Sequence, residues 1–229
     1  MTAALFDART DHVWVLHPGL RQYTASIVKV QILGTALQEG QASGQGVPAA
    51  EKALIPAMIE NSDNDAATTL LREVGGPAAL AKFDHSAGLT QTTPSTLQFI
   101  PGTTLPGWGL TKTTALDQVR LVARFAYPSS ILSTASRQYG LSLMEHVEAD
   151  QRWGVTGGVP PDTLVALKNG WLPLGSSGWQ IDSIGWIAGH GRDYVLAVLA
   201  AGNPSYDYGI STIETISGFI YRSQGHAGR

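Results

Sequence analysis

Apolar and polar residues alternate at the start of the chain. Leu5–Asp7 and His12–His17 read as two strands around the polar turn Ala8-Arg9-Thr10-Asp11. The period then changes. In 26–38, SIVKVQILGTALQ, the apolar Val30, Leu33, Ala36 and Leu37 fall at helical spacing, with Ser26 at the helix start after Thr24-Ala25. Residues 39–49, rich in Gly, Ser and Gln, read as a linker. Helical patterns follow at 50–60, 65–73 and 77–83. Residues 84–112, rich in Gly, Pro and Thr, read as one long loop, of a length that is usually functional or a lid. Helical patterns return at 114–126, 130–137 and 139–148. Thr163–Leu172, Gly178–Ala188 and Tyr194–Ala201 then read as strands, the last two joined by the hairpin loop Gly189-His190-Gly191-Arg192-Asp193. A helix over 209–222 closes the chain. Strands, then helices, then strands predict an α+β fold with a helical block inserted between parts of one sheet. The expected unit is a single domain over 1–229: a sheet lobe from about 1–25 and 151–229, a helical lobe from about 26–150, and a cleft between them.

Composition narrows the function classes. The 229 residues carry 18 acids and 15 bases, a net charge of −3, which argues against a nucleic-acid partner. Apolar residues at 43% exclude the disordered class. The chain has no cysteine, so disulfides, thiolate metal sites and a cysteine nucleophile are all excluded. The longest apolar run, Tyr194–Ala201, is too short to span a bilayer, and no membrane partner is expected. The start, MTAALFDARTDHVWVL, lacks a basic stretch followed by a long apolar core and does not read as a secretory signal. Two readings of location stay open: cytoplasmic with Met1 as the native start, or secreted or periplasmic as a trimmed chain. A monomer is expected.

Three short motifs carry candidate chemistry. Ser26-Ile27-Val28-Lys29 sets a hydroxyl and an amine one helical turn apart on one face. A neutral amine there can take the serine proton, and a helix start offers free N–H groups to an oxyanion. About one such S-x-x-K arises by chance in a chain of this length, and a capping serine beside a solvated lysine is the bland alternative. Ser62-Asp63-Asn64 offers a hydroxyl to relay a proton and an amide to grip a carbonyl and a lysine; it also reads as a helix N-cap, and both can hold at once. Lys168-Asn169-Gly170-Trp171 lies in a predicted strand, where the lysine could fix an anion and the glycine would admit a close backbone approach. Only five lysines exist, and two stand in these motifs.

In this order the three motifs resemble those of the serine β-lactamase and penicillin-binding (DD-peptidase) superfamily, S-x-x-K, S-D-N and K-T-G, and most resemble class A β-lactamases. The 106-residue interval from Ser62 to Lys168 is similar to the family's. Ile100-Pro101-Gly102 looks like the end of its Ω-loop, Thr111–Thr114 like the helix start that follows, and Gln151-Arg152-Trp153-Gly154 like a segment upstream of the third motif. The resemblance implies an antiparallel sheet flanked by helices plus an all-helical lobe. It implies Ser26 as acylated nucleophile, Lys29 as its base or part of the proton relay, and Ser62 as proton shuttle to the leaving nitrogen. Asn64 would orient substrate and Lys29. Lys168 and Asn169 would grip a substrate carboxylate, with Lys168 also tuning Ser62, and the amides of Ser26 and Trp171 would form the oxyanion hole beside Gly170. No metal or organic cofactor is implied. The partner would be a small-molecule or peptide substrate, a β-lactam or a carboxylate-ended peptide amide.

The departures are informative. The 36-residue interval from Ser26 to Ser62 is short for class A, and the usual N-terminal helix is missing. Asn169 stands where the family has Thr. No Asp or Glu occurs between Asp84 and Asp117, and counting back from Pro101-Gly102 places the family's deacylating glutamate near Thr93-Pro94. A positioned general base contributes about 10²–10⁴ in rate, so hydrolysis of the acyl-enzyme should be slow and efficient β-lactamase action is not expected. Glu60 or His85 could substitute only if the fold brings it to the acyl carbon. The alternative reading is a penicillin-binding or sensing module, acylated without turnover. His12, His17, His85, His146, His190 and His226 show no metal-ligand spacing. Trp179 and Trp186 read as sheet packing. Trp108 is a candidate rim aromatic with no role assigned.

Overall fold

The computed structural model describes residues 1–225; His226 lies outside the described residues. The chain opens with β1 (Thr2–Asp7), β2 (His12–Leu16) and the short β3 (Gln22–Tyr23). A 3-10 turn, Ala25–Ile27, leads into α1 (Val28–Ser43), followed by α2 (Ala49–Glu60), α3 (Asn64–Glu73) and α4 (Gly76–Ala87). After a long coil and a 3-10 turn at Gly107–Leu110 come β4 (Lys112–Thr113), α5 (Ala115–Ala126) and α6 (Thr134–Glu145). The last third is β5 (Leu164–Pro173), β6 (Trp179–Gly189), β7 (Arg192–Asn203) and α7 (Tyr206–Gln224). The fold is α+β: among the described residues, seven helices surround an antiparallel sheet in the order β2-β1-β7-β6-β5, with β3 and β4 paired separately. No described helix is long and apolar enough to cross a membrane.

Period-two alternation divides the sheet between two cores. In β7, Val195, Ala197 and Leu199 join the larger core with Val30, Leu33 and Phe125 of the helices. Tyr194, Leu196, Val198 and Ala200 face the other way and pack with Ile213 and Tyr221 of α7. Both faces are covered, which is why the central strands read as apolar runs rather than as alternating ones. Helix α1 is buried on nearly every side among α2–α6, so that even its polar Lys29, Gln31 and Thr35 are enclosed.

Three expectations change. The first half of the 39–49 linker is helix, because α1 runs on to Ser43. A Cβ at Gly40 would lie 2.6 Å from Val47 N, so a glycine lets the turn that follows pack back on the helix, and Gly44 ends it at φ 68°. The two helices expected at 130–137 and 139–148 are one. The Gln41 side chain holds Ile131 O and Ser133 N, fixing 131–133 as coil, and Ser133 caps the helix through Ser136 N. The β6–β7 hairpin loop is only His190-Gly191, both at positive φ, as a two-residue turn requires.

Candidate active site

Ser26 sits in the middle of the 3-10 turn, half-buried at the junction between the sheet and α1. The turn is held by Thr24 N donating to Thr111 O at 2.9 Å and Ile27 N to Thr24 O at 3.0 Å. Ala25 adopts φ 41° and Ser62 φ 57°, conformations that cost non-glycine residues free energy and collect at functional sites. The third motif presses on this turn. A Cβ at Gly170 would lie 2.8 Å from both Ser26 N and Thr24 O. The close backbone approach that the glycine admits is that of the protein's own serine turn.

Lys29, the second residue of α1, is fully buried. Its Nζ lies 3.2 Å from Ser26 Oγ, 3.0 Å from Ser62 Oγ and 2.8 Å from Asn64 Oδ1, and it also donates to Ser62 O. Burial, helped by the nearby Lys168 cation and opposed by Asp63, lowers its pKa to about 6. Near neutral pH most of the amine is therefore uncharged and can accept a proton. Asp63 is the N-cap of α3, its Oδ1 accepting from Ala66 N at 2.7 Å. Capping falls to the middle residue of Ser62-Asp63-Asn64 and leaves its two neighbours to Lys29.

Strand β5 is an edge of the sheet. Val165 O accepts from Arg152 Nη2 at 3.0 Å and Asn169 O from Lys168 Nζ at 3.2 Å, which turns the backbone groups of its odd-numbered residues away from β6. By the same alternation the N–H of Trp171 lies on the free edge, next to Gly170 and the Ser26 turn.

Side chains alternate too. Lys168 shares a face with Gly170, on the side of Ser26, but is fully buried, and burial lowers its pKa to about 7. Asn169 is on the opposite face, fully buried, with Nδ2 donating to Gln151 O at 2.7 Å and Trp153 O at 2.9 Å. The Asn169 amide, expected to share a carboxylate grip with Lys168, is thus turned to the other face of the strand, while Lys168 stays on the Ser26 side. Asn169 pins the 151–153 loop, and neither residue lines the cleft.

The cleft, about 330 Å³, is lined by Ser26, Ser62 and Asn64 on one side and by Ile100, Leu105, Pro106 and Trp108 on another. Trp171, Leu172 and Trp179 line the β5–β6 side. Trp108, 6% exposed, lays its ring 5.0 Å from Lys29 Nζ and donates from Nε1 to Thr68 Oγ1 at 3.0 Å. The loop segment that meets Lys29 is therefore Pro106–Gly109. Thr93-Pro94, where the glutamate's place was expected, lies elsewhere: Thr93 pairs with Lys112 and accepts from Arg21 at 2.6 Å. Glu60 and His85 do not line the cleft, and His85 is exposed on α4.

The model of the beta-lactamase enzyme family matches residues 42–224. That stretch begins after Ser26 and Lys29 and contains the second and third motifs. The chain belongs to this family. Its fold is that of class A β-lactamases: the chromosome-encoded enzyme of Vibrio parahaemolyticus superposes with TM-score 0.81 at 18% identity over 99% of this chain and 94% of that one. The class A enzyme of Mycobacterium abscessus gives 0.80 at 21% over 98% and 93%. An ancestral class A β-lactamase of Gram-negative bacteria gives 0.78 at 22% over 97% and 93%.

Sequence reading assigned no role to Trp108 and placed Trp179 in packing; both line this family member's cleft. A tryptophan inside Pro-Gly-Trp-Gly, in a long loop, was the available signal for the first. The Asn169 error was avoidable, because strand alternation separates it from Lys168.

Proposed function

We propose that this protein is an active-serine acyl-transfer enzyme in which Ser26 attacks an activated amide or ester carbonyl, β-lactam rings included. The observation that carries the reading is the convergence of Ser26 Oγ, Ser62 Oγ and Asn64 Oδ1 on one buried lysine nitrogen. Neutral Lys29 takes the Ser26 proton as the oxygen bonds to the carbonyl carbon. The oxyanion is received by the amides of Ser26 and Trp171. The proton passes from Lys29 through Ser62 Oγ to the leaving group as its bond to the acyl carbon breaks. Lys168 acts through Lys29, keeping that amine neutral. Asn64 fixes Lys29 and faces the incoming carbonyl.

The second half-reaction lacks a dedicated base, since no Asp or Glu side chain lines the cleft. The acyl-enzyme is therefore long-lived, resolved slowly by water or by an amine. The same observation favours a second reading, an acyl trap without turnover. Intact-mass measurement after mixing with a p-nitrophenyl ester and, separately, with benzylpenicillin tests both. A persistent gain of one acyl group on wild type and none on Ser26→Ala is expected. No adduct with either reagent overturns the proposal, and sustained release of a coloured cephalosporin product overturns slow deacylation.

A further inference from the structure

Beneath the serine turn the sheet holds a buried chain of polar side chains that the proposed mechanism does not use. Asp182 of β6 lies directly across from Gly170 of β5. Cross-strand partners share a face, so its side chain points to the side on which Ser26 N and Thr24 O close on Gly170. Gln180, two residues earlier on the same face, donates from Nε2 to Asp182 Oδ1 at 2.5 Å and to Gln22 Oε1 at 3.0 Å. All three side chains are buried. Gln22 belongs to β3, whose backbone pairs with the two-residue β4 and not with the five-stranded sheet. The bond from Gln180 to Gln22 therefore fastens to that sheet the strand that runs straight into the Ser26 turn. Ala25, at φ 41°, keeps its unfavourable backbone only because its surroundings over-determine it.

The site does not suit a charge. Asp182 is fully buried, and burial pushes its carboxyl well above the usual carboxylate range, outweighing the Gln180 amide and the Ala200 N–H that favour the anion. Asp182 forms no ion pair among the described residues. Lys168, on the same face of β5, has its Nζ on Asn169 O. Asp182 Oδ2 and Gln180 Oε1 are both buried without a partner, two acceptors with no proton between them. A proton on Asp182 turns one acceptor into a donor and removes the charge.

We propose that Asp182 is a positioning residue for Ser26: as an uncharged carboxylic acid it fixes Gln180, which holds Gln22 and with it the serine turn in the orientation acylation needs. The role rests on the active-serine reading of Ser26. The test compares Asp182→Asn, which keeps an uncharged side chain of the same shape with a donor and an acceptor, with Asp182→Ala, which leaves Gln180 without its partner. The limiting rate of Ser26 acylation by p-nitrophenyl acetate, followed by intact mass, should fall about tenfold or more in Asp182→Ala and stay within about twofold of wild type in Asp182→Asn. Gln22→Met cuts the chain at its β3 end; it should match Asp182→Ala and takes its place if that variant does not fold. A role in stability alone predicts a lower melting temperature with an unchanged limiting rate in Asp182→Ala and Gln22→Met, and that result overturns the proposal. Asp182→Asn as slow as Asp182→Ala overturns the uncharged acid. The carbonyl stretch of a protonated carboxylic acid, in the infrared difference between wild type and Asp182→Asn at neutral pH, reads the charge state directly. Asp84, which burial pushes up to about 7, is present in both proteins and cancels. Absence of the band overturns the uncharged acid as well. If wild type is acylated by neither the ester, benzylpenicillin nor a small neutral fluorophosphonate, the active-serine reading falls and the positioning role with it. Acylated wild type with all three variants unchanged overturns the positioning role alone.

Discussion

The two walls of the cleft are built on opposite principles. On the wall made by α1 and the start of α3, polar atoms are close-set, and Ser62 and Asn64 both lie within hydrogen-bond reach of Lys29. The facing loop, from Ile100 to Gly109, offers carbon: Ile100, Leu105, Pro106 and the ring of Trp108. A wall of the first kind moves protons and one of the second excludes water. On the proposed function the difference separates the two half-reactions, the polar wall serving acylation and the apolar wall supplying no carboxylate for deacylation.

The sharpest way to break this comparison is to disable the polar wall. Lys29→Met should lower the acylation rate about 10³-fold, measured by stopped mixing and intact mass, while leaving the fold intact by circular dichroism. In wild type the acylation rate should climb with pH through about 6 and then level off, because the amine must be neutral and burial holds its pKa there. Lys168→Met removes a neighbouring cation, so Lys29 should hold its proton to higher pH and the rising limb should shift upward. An unmoved limb would show that Lys29 is not the base.

The next largest effect should come from the join between the walls. Gly170→Ala puts a methyl group 2.8 Å from Ser26 N and Thr24 O, both backbone atoms that cannot yield cheaply. Displacing the serine turn by a fraction of an ångström should slow acylation about a hundredfold with little change in Lys29 titration. The smallest effect sharpens the comparison from the other side. Trp108→Glu gives the apolar wall a carboxylate beside Lys29 and should shorten the acyl-enzyme lifetime about tenfold, read as decay of the mass adduct. It should also raise the pH at which acylation begins, since an anion near the amine favours its protonated form.

Much of the polar wall was legible in the chain. Ser26 and Lys29 are three residues apart, and that local spacing sets them on one face although the serine belongs to a 3-10 turn and the lysine to α1. Ser62-Asp63-Asn64 was legible twice, as a cap and as a pair of partners for a lysine, because adjacent residues at a helix start point in different directions. Asn169 was misassigned because a motif was read as a unit, whereas a strand sends neighbours to opposite faces. The apolar wall was not legible. Nothing in 84–112 says which of its residues meets Lys29, and counting from Pro101-Gly102 chose Thr93-Pro94 when the contact is Trp108.

The sequence by itself determined most of the elements, their order, the absence of an acid between Asp84 and Asp117 and the residues that gather around Lys29, because periodicity and short spacings are properties of local backbone geometry. Only the tertiary structure decided that Lys168 is fully buried, that Asn169 faces away, and that the Trp108 ring lies over Lys29. Those outcomes depend on which distant segments pack together, and packing is settled by the fit of whole surfaces, which no interval along the chain encodes.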